Sequence, residues 1–544
     1  MSPLERYGVN VCPVNLLRPT ILPSVPTSSH NAIVDVYNHA LAQKDQGFYA
    51  TLMEVYSLNV NTTPKVLDYT SLLSFYNKYA GIIKHTLLSL WYMNAHGCVL
   101  RTTNTLYRSL QDSLHGIDGG WESTRTALLF TLVLSLTGII SCYRASDSSA
   151  MQCIYSMCIL LIYNTVFVLI QDGFNALIVS IVHLSTLILI TRRKQTPSDF
   201  VCFGSLVVRF RGLFMLATII AILAYDNLHF NRHCSKTFFN GFSAMDIGCG
   251  FMIVHSGSMR ALSKNNIPRD ITKILRRNFP LILLGILRLV STRAVNYNVP
   301  VEEYGVHWNF FLALAVAKIC ELITSQFIHK CAASEIILSI VPPNFVALVP
   351  VMIGTFYEIA LWYFNLATVL PMIKRVGIFS ANKEGIVAIP NSVTLFLFGY
   401  SVTQSCKFIY EKRGQAYTLL RLSVTWLCCG LGSYMLYLIG LPSSRTLGNA
   451  RFVLNTGCVF TWGLFTVLLA EIIFGNRIDS TVLDCIGRHS FVFFLLANFI
   501  TGTINLWAQP LLLPIVFMYP LLVIYGIICC VAVLVIDRHG LKLL

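Results

Sequence analysis

Apolar runs long enough to cross a lipid bilayer, about 20 residues each, recur along most of this 544-residue chain. They lie at about 125–143, 151–170, 174–191, 210–226, 241–257, 278–292, 308–328, 344–364, 385–403, 416–440, 453–475, 486–504 and 512–536. A membrane β-barrel would instead show segments of roughly 10 residues with alternating polarity, and the sequence carries none. The runs therefore predict an all-α polytopic membrane protein with about 13 transmembrane helices in one bundle. Composition agrees, because 55% of residues are hydrophobic and 12% charged, whereas soluble domains carry about 25% charged residues. The segment 333–342, which ends at Pro342 and Pro343, reads as a loop, a re-entrant piece or a further crossing.

Residues 1–120 form an N-terminal polar and interfacial region of open role, and 121–544 a multispanning domain. No apolar run of spanning length falls in 1–78, where Asn61 opens an N-glycosylation sequon that hints at a non-cytosolic side. The stretch 79–97 carries Lys84 and His85 mid-run and reads as an interfacial helix. Residues 1–24 mix prolines with charges, so no cleavable signal peptide is expected.

A net charge of +15 raises the question of nucleic acid. The Lys and Arg residues, however, sit in short clusters between apolar runs, which the positive-inside rule explains, so no nucleic-acid partner is expected. The basic stretches 191–194, 258–278, 407–413 and the tail after 536 all fall on one side if the runs are counted as spans. That side is then cytosolic. Five polar stretches gather on the other: 225–236, 302–308, 380–385, 443–449 and 497–505. Most of the seventeen cysteines, such as Cys428, Cys429, Cys529 and Cys530, lie within apolar runs, and no paired CxxC motif at zinc spacing occurs. No metal site is expected.

Two candidate groups stand out among the ionisable residues. Asp226 closes the run 214–226 and is either a helix terminus or a general base whose pKa burial would raise. Lys236, ten residues on, could pair with it, bind phosphate or stabilise an oxyanion. Asp246 lies inside a short run among Gly and Ser residues suited to close helix packing. It is either a buried helix contact or a substrate contact, and Arg288 within 281–290 either holds a lipid phosphate or pairs with Asp246. His307 is a candidate base, and Tyr304 and Trp308 suit an interfacial aromatic belt.

The stretch 303-EYGVHWNFF-311 resembles the hallmark of the GPI-anchor inositol acyltransferase family, the PIG-W type. So do 217-ATIIAILAYD-226 followed by Arg232 and Lys236, 244-AMDIGCG-250, 379-FSANKEG-385, 443-SSR-445 and 495-LLANFITGTIN-505, in the family's order over about 205–510. Three positions depart from the family pattern: His233, Lys383 and Thr446.

The resemblance implies a multi-pass enzyme of the endoplasmic reticulum membrane. It would transfer a fatty acyl group, typically palmitoyl, from acyl-CoA to the inositol hydroxyl of glucosaminyl-phosphatidylinositol. Acyl-CoA is a co-substrate and no cofactor is implied. Asp226 and Lys236 correspond to the catalytic pair. His307, Trp308, Asn309, Arg288, Asp246, Arg232, Asn382, Glu384, Arg445 and Asn498 are the expected substrate contacts. Two other readings compete: a membrane-bound O-acyltransferase of another class with His307 as base, and a lipid or solute transporter using Asp246 and Arg288 as a coupling pair.

Overall fold

Long apolar segments without water must satisfy their backbone groups internally, and this chain does so with helices. The computed structural model describes residues 121–142, 149–169, parts of 177–185, 202–263 except 228 and 238, 271–294, 301–320, 345–474, 481–508 and 510–540. The N-terminal region with Asn61 and the stretch 79–97, the basic cluster at 191–194 and the segment 333–342 lie outside the described residues.

Among the described residues the elements are helical. The first five are α1 (Trp121–Cys142), α2 (Ser149–Leu169), α3 (Phe203–Tyr225), α4 (Ala244–Leu262) and α5 (Ile271–Ala294). A short α6 (Val301–Tyr304) precedes α7 (Phe310–Cys320) and α8 (Phe345–Tyr363). Three short helices follow, α9 (Leu366–Met372), α10 (Ile378–Ala381) and α11 (Lys383–Val387). The chain closes with α12 (Ile389–Arg413), α13 (Gln415–Leu438), α14 (Ala450–Phe474), α15 (Thr481–Arg488), α16 (Ser490–Trp507) and α17 (Ile515–Arg538).

Where the residues are described the apolar runs fall on these helices; 174–191 lies largely, and 321–328 wholly, outside the described residues. Among the described residues five helices, α1, α3, α13, α14 and α17, are long and apolar enough to cross a membrane. A sixth span arises if α15 and α16 are one broken crossing, bent by 88°. The run at 486–504 is thus not a straight helix. Its hydropathy continues through the turn, but the backbone changes direction at His489, which has left helical geometry with φ −105° and ψ 26°.

Small residues set the closest helix approaches. A Cβ at Gly257 would lie 1.9 Å from the Phe396 carbonyl oxygen, and one at Gly399 would lie 2.0 Å from that of Val254. Helices α4 and α12 therefore touch backbone to backbone, as small residues permit in membrane helices. Ser258 adds a hydroxyl contact to Thr403 at 2.6 Å. Aromatic rings fill the centre, with Phe214 stacked on Phe251 at 3.5 Å and Phe210 set edge-on to Phe251 at 5.1 Å.

Helix polarity brings one set of ends together. The C-terminal ends of α3 and α16 meet the N-terminal ends of α4, α12 and α14 and the loop into α7, joined by the side-chain contacts described next. Four of the five polar stretches expected to gather at one face supply most of those contacts, and Asn505 brings in the fifth.

Candidate functional site

Asp226 stands one residue past the end of α3, where it caps the helix. An anion at a helix C-terminus faces the negative end of the macrodipole, and this carboxyl is also 8% exposed. Burial pushes its pKa up to about 6, although a hydrogen bond from Asn505 and the charge of Arg232 oppose the rise. Asn505 Nδ2 donates to Asp226 Oδ2 at 2.6 Å, from the last turn of α16. The oxygen of that amide, Asn505 Oδ1, is buried and has no hydrogen-bond partner.

Arg232 does not reach outward from this place. Its Nη1 donates to the Tyr225 carbonyl at 3.2 Å and its Nη2 to that of Asn227, while the guanidinium lies 5.3 Å from the Tyr225 ring centre. A cation there satisfies carbonyls left open at the end of α3. Both terminal nitrogens of this expected substrate contact thus bond the protein's own carbonyls, while its Nε has no partner. Asn227 anchors the same turn to the opposite loop, donating to the Pro510 and Leu513 carbonyls at 2.7 and 2.9 Å.

Lys236 belongs to a different cluster. Its Nζ donates to Glu303 Oε1 at 2.6 Å, so the ammonium pairs with Glu303 and not with Asp226. Arg445 Nη1 lies 3.7 Å from the same oxygen, and Arg445 Nε donates to Asp246 Oδ1 at 2.9 Å. Burial alone would raise the Glu303 pKa, but the charges of Lys236 and Arg445, with a further contribution from Arg288, hold it down to about 2. Lys236 is the accessible end of this chain of charges, its side chain 35% exposed.

Asp246 is fully buried and its acceptors are taken up by the protein. The Thr237 hydroxyl donates to it at 2.9 Å, the Ser243 hydroxyl at 2.9 Å and the Ser243 amide at 3.1 Å, completing a capping box at the start of α4. The expected pairing with Arg288 is corrected: Arg445 is its partner. The arrangement has the logic of a buried ion pair, in which hydrogen bonds must complete each charge. With that pair goes the coupling pair on which the transporter reading rested.

The segments 302–308 and 378–385 lock together. The Val306 amide donates to the Ala381 carbonyl at 2.9 Å, and Asn382 Oδ1 accepts from the His307 and Trp308 amides at 2.7 and 3.0 Å. Asn382 thereby braces the loop from beneath. Gly305 turns at φ +110°, where its missing Cβ would lie 2.6 Å from Asn382 Cα. At Gly385 a Cβ would lie 2.3 Å from Trp308 Cδ1, so the indole packs directly on the backbone. His307 itself is exposed, with Nδ1 3.4 Å from Asn382 Nδ2.

Other expected contacts also serve the frame. Asn309 donates to the Gly285 carbonyl at 2.9 Å and accepts from the Phe311 and Leu312 amides, tying α5 to the start of α7. Glu384 receives a two-pronged contact from Arg375, at 2.9 and 2.5 Å. Lys383 donates to the Leu370 and Ile373 carbonyls at 2.5 and 2.8 Å, which explains how a lysine is accommodated at this departure from the family pattern. Asn498 stands apart on an exposed face of α16, donating to the Phe494 carbonyl of its own helix at 2.7 Å. Arg288 is half-buried on α5 near Glu303.

Glu303, Arg375 and Asn505 were not singled out from the sequence. Each lay inside or beside a quoted motif, and the signal that would have found them is a carboxylate, guanidinium or amide at the very end of an apolar run.

Known proteins match this chain. The GWT1 family model covers residues 77–536, beginning well before the signatures at 205–510. The GPI-anchored wall transfer protein 1 of Schizosaccharomyces pombe is 25% identical over 366 residues, 65% of this chain and 76% of that protein. Glucosaminyl-phosphatidylinositol-acyltransferase PIGW of Bos taurus is 27% identical over 353 residues, 55% of this chain and 66% of that one. Its namesake from Mus musculus is 26% identical over 389 residues, 62% and 74% of the two chains.

Proposed function

This chain belongs to the GWT1 family, and on that footing we propose that it is a multi-pass membrane acyltransferase acting in GPI-anchor biosynthesis. Its acceptor is the inositol hydroxyl of glucosaminyl-phosphatidylinositol, a lipid that the names of two relatives contain. Its donor is acyl-CoA, with palmitoyl the acyl group, and its place is the endoplasmic reticulum membrane. The full bundle would count about 13 spans, by the length of the apolar runs.

The observation that carries this reading is the Asp226 carboxyl. A pKa of about 6 at a helix end, held by Asn505, suits a general base working near neutral pH. Asp226 takes the proton of the inositol hydroxyl as that oxygen attacks the thioester carbonyl. The tetrahedral intermediate then collapses, the carbon–sulfur bond breaks, and the CoA thiolate leaves. The acyl group passes directly, since no nucleophile motif calls for an acyl-enzyme.

Lys236 serves as the cationic partner. An ammonium has three donors, and Glu303 occupies one of them. The others are free to face an oxyanion or a phosphate, and such a donor contributes on the order of 3 kcal/mol in a dry site. Arg288 and His307, at the rim, are the further headgroup contacts. An O-acyltransferase mechanism based on His307 finds less support, because that ring is exposed and its near neighbour is an amide.

The test uses membranes from cells lacking their own inositol acyltransferase, with and without this chain. Labelled glucosaminyl-phosphatidylinositol and palmitoyl-CoA should yield a more hydrophobic lipid resistant to phosphatidylinositol-specific phospholipase C. Absence of that product from well-inserted protein refutes the proposal.

A further inference from the structure

We propose that Arg211 on α3 binds a phosphate of the acyl-CoA donor, and that the open stripe of α3 between Arg211 and Asp226 carries the arm joining that phosphate to the thioester. This rests on the acyltransferase reading above and assigns the donor its place in it.

Arg211 lies inside the apolar helix α3 and is half-buried. Among the described residues no carboxylate pairs with it and no acceptor takes a hydrogen bond from it, yet none of its nitrogens is sealed from the surface. Glu471 and Asp484, the nearby carboxylates, are engaged by Arg209 at 3.3 Å, from another side of the helix. His255 of α4 feels the charge of Arg211, and its buried ring brings no negative charge. A bare guanidinium inside a membrane bundle is unfavourable and marks a place for an anion. Phosphate is the anion that its planar fork of donors fits.

The rest of α3 gives this site a direction. From Arg209 to Tyr225 every residue is buried except Arg211, Thr218, Ala221, Ile222 and Tyr225. Arg211, Thr218, Ile222 and Tyr225 recur at i, i+7, i+11 and i+14, which is one stripe on a helix otherwise packed all round. The stripe begins at the bare cation and ends beside Asp226. Helix α4 packs on α3 through Phe251 stacked on Phe214, and α16 through Asn505 on Asp226. Gly248, seven residues before His255, and Gly502, three before Asn505, lie on the faces of α4 and α16 turned toward α3. A Cβ on either would meet nothing within 4 Å, which leaves space beside the stripe. Thr218 stands midway, its hydroxyl donating to the Phe214 carbonyl at 2.8 Å and keeping lone pairs for an amide.

Length selects the ligand. Asp226 is fifteen positions beyond Arg211, roughly 22 Å along a helix. The phosphate of the acceptor lipid is bonded directly to inositol, so it cannot lie at Arg211 while inositol reacts at Asp226. In acyl-CoA an extended pantetheine arm with two amides holds phosphate and thioester apart by a distance of this order. Gly204 at the start of α3 also lies against Leu262 at the end of α4, where the basic stretch 258–278 leaves the bundle. The donor therefore enters from the end that the positive-inside rule makes cytosolic.

The experiment compares palmitoyl-CoA with palmitoyl-pantetheine, a thioester that has the arm but no phosphate. Full-length protein is used in membranes lacking other inositol acyltransferases, as wild type, Arg211→Gln and Arg211→Lys, with glucosaminyl-phosphatidylinositol as acceptor. Wild type should prefer palmitoyl-CoA, and equal use of the two donors overturns the assignment. Arg211→Gln should raise KM for palmitoyl-CoA about tenfold or more, affect palmitoyl-pantetheine far less, and so shrink the preference. A well-inserted Arg211→Gln with wild-type preference overturns the assignment and leaves the guanidinium to a membrane phospholipid. A rise in KM for the acceptor lipid alone overturns it in favour of that lipid's headgroup. If Arg211→Gln fails to accumulate, Arg211→Lys decides: a weaker preference supports the assignment, and equal losses on both donors, or none, overturn it. Wild type that acylates the lipid from neither donor refutes the acyltransferase reading itself.

Discussion

Replacing Asp226 with asparagine should kill the reaction and strengthen the fold. Burial raises the carboxyl's pKa from 3.8 to about 6 on folding, and a tenfold change in acidity corresponds to about 1.4 kcal/mol. The sign follows from proton linkage. A group with a raised folded pKa contributes stability fully below its unfolded value of 3.8 and loses it as pH rises through about 6. At pH 8 the ionised side chain therefore costs the native state up to about 3 kcal/mol. Asparagine is nearly isosteric and its Oδ1 can still accept from Asn505, so the variant should be more stable than wild type at pH 8 by about 1–3 kcal/mol. At pH 4 the two should nearly coincide. Thermal melting of detergent-extracted protein at both pH values measures the difference, and acyl transfer in membranes measures the loss of the base. An Asp226→Asn variant that melts at or below wild type at pH 8, or that still turns over, would refute the reasoning.

Asn505→Leu removes the donor that favours ionised Asp226. The acid limb of kcat/KM, expected near pH 6 from the same carboxyl, should move upward by about one unit; a limb that stays put disconnects Asn505 from the base. Asp246→Ala leaves Arg445 buried beside a lost partner, and removing one member of such a pair costs about 3–5 kcal/mol. Poor accumulation and early melting are the signs to look for, and wild-type melting would show that the pair is dispensable. Gly385→Ala drives a methyl group into Trp308, an overpacking of about 1–3 kcal/mol. Undiminished thermal stability would mean that the indole moves aside freely.

Helix positions were legible because apolar runs of spanning length leave few alternatives to a helix. Of the small residues around Asp246, Gly250 packs against Thr456 of α14 while Gly248 meets nothing, and the closest crossing of α4 comes instead from Gly257 and Gly399. What could not be read was which charge faces which. Asp226 meets Asn505 across 279 positions and Asp246 meets Arg445 across 199. Nothing in local spacing encodes such distances, so the sequence offered Lys236, ten residues on, for Asp226, and Arg288, another ionisable residue within an apolar run, for Asp246. The turn at His489 was hidden for another reason: hydropathy reports what a segment is made of and is blind to its direction.

Where α4 and α12 meet at Gly257 and Gly399, no side chain lies between the two backbones to slide, tilt or change rotamer. The pair acts mechanically as a single girder. Its near end carries Cys249 from one helix and Asn391 from the other. The loop at 302–308 is clamped in turn to 381–382. The backbone contact of α4 with α12 and the clamp of 302–308 on 381–382 thus make one continuous frame.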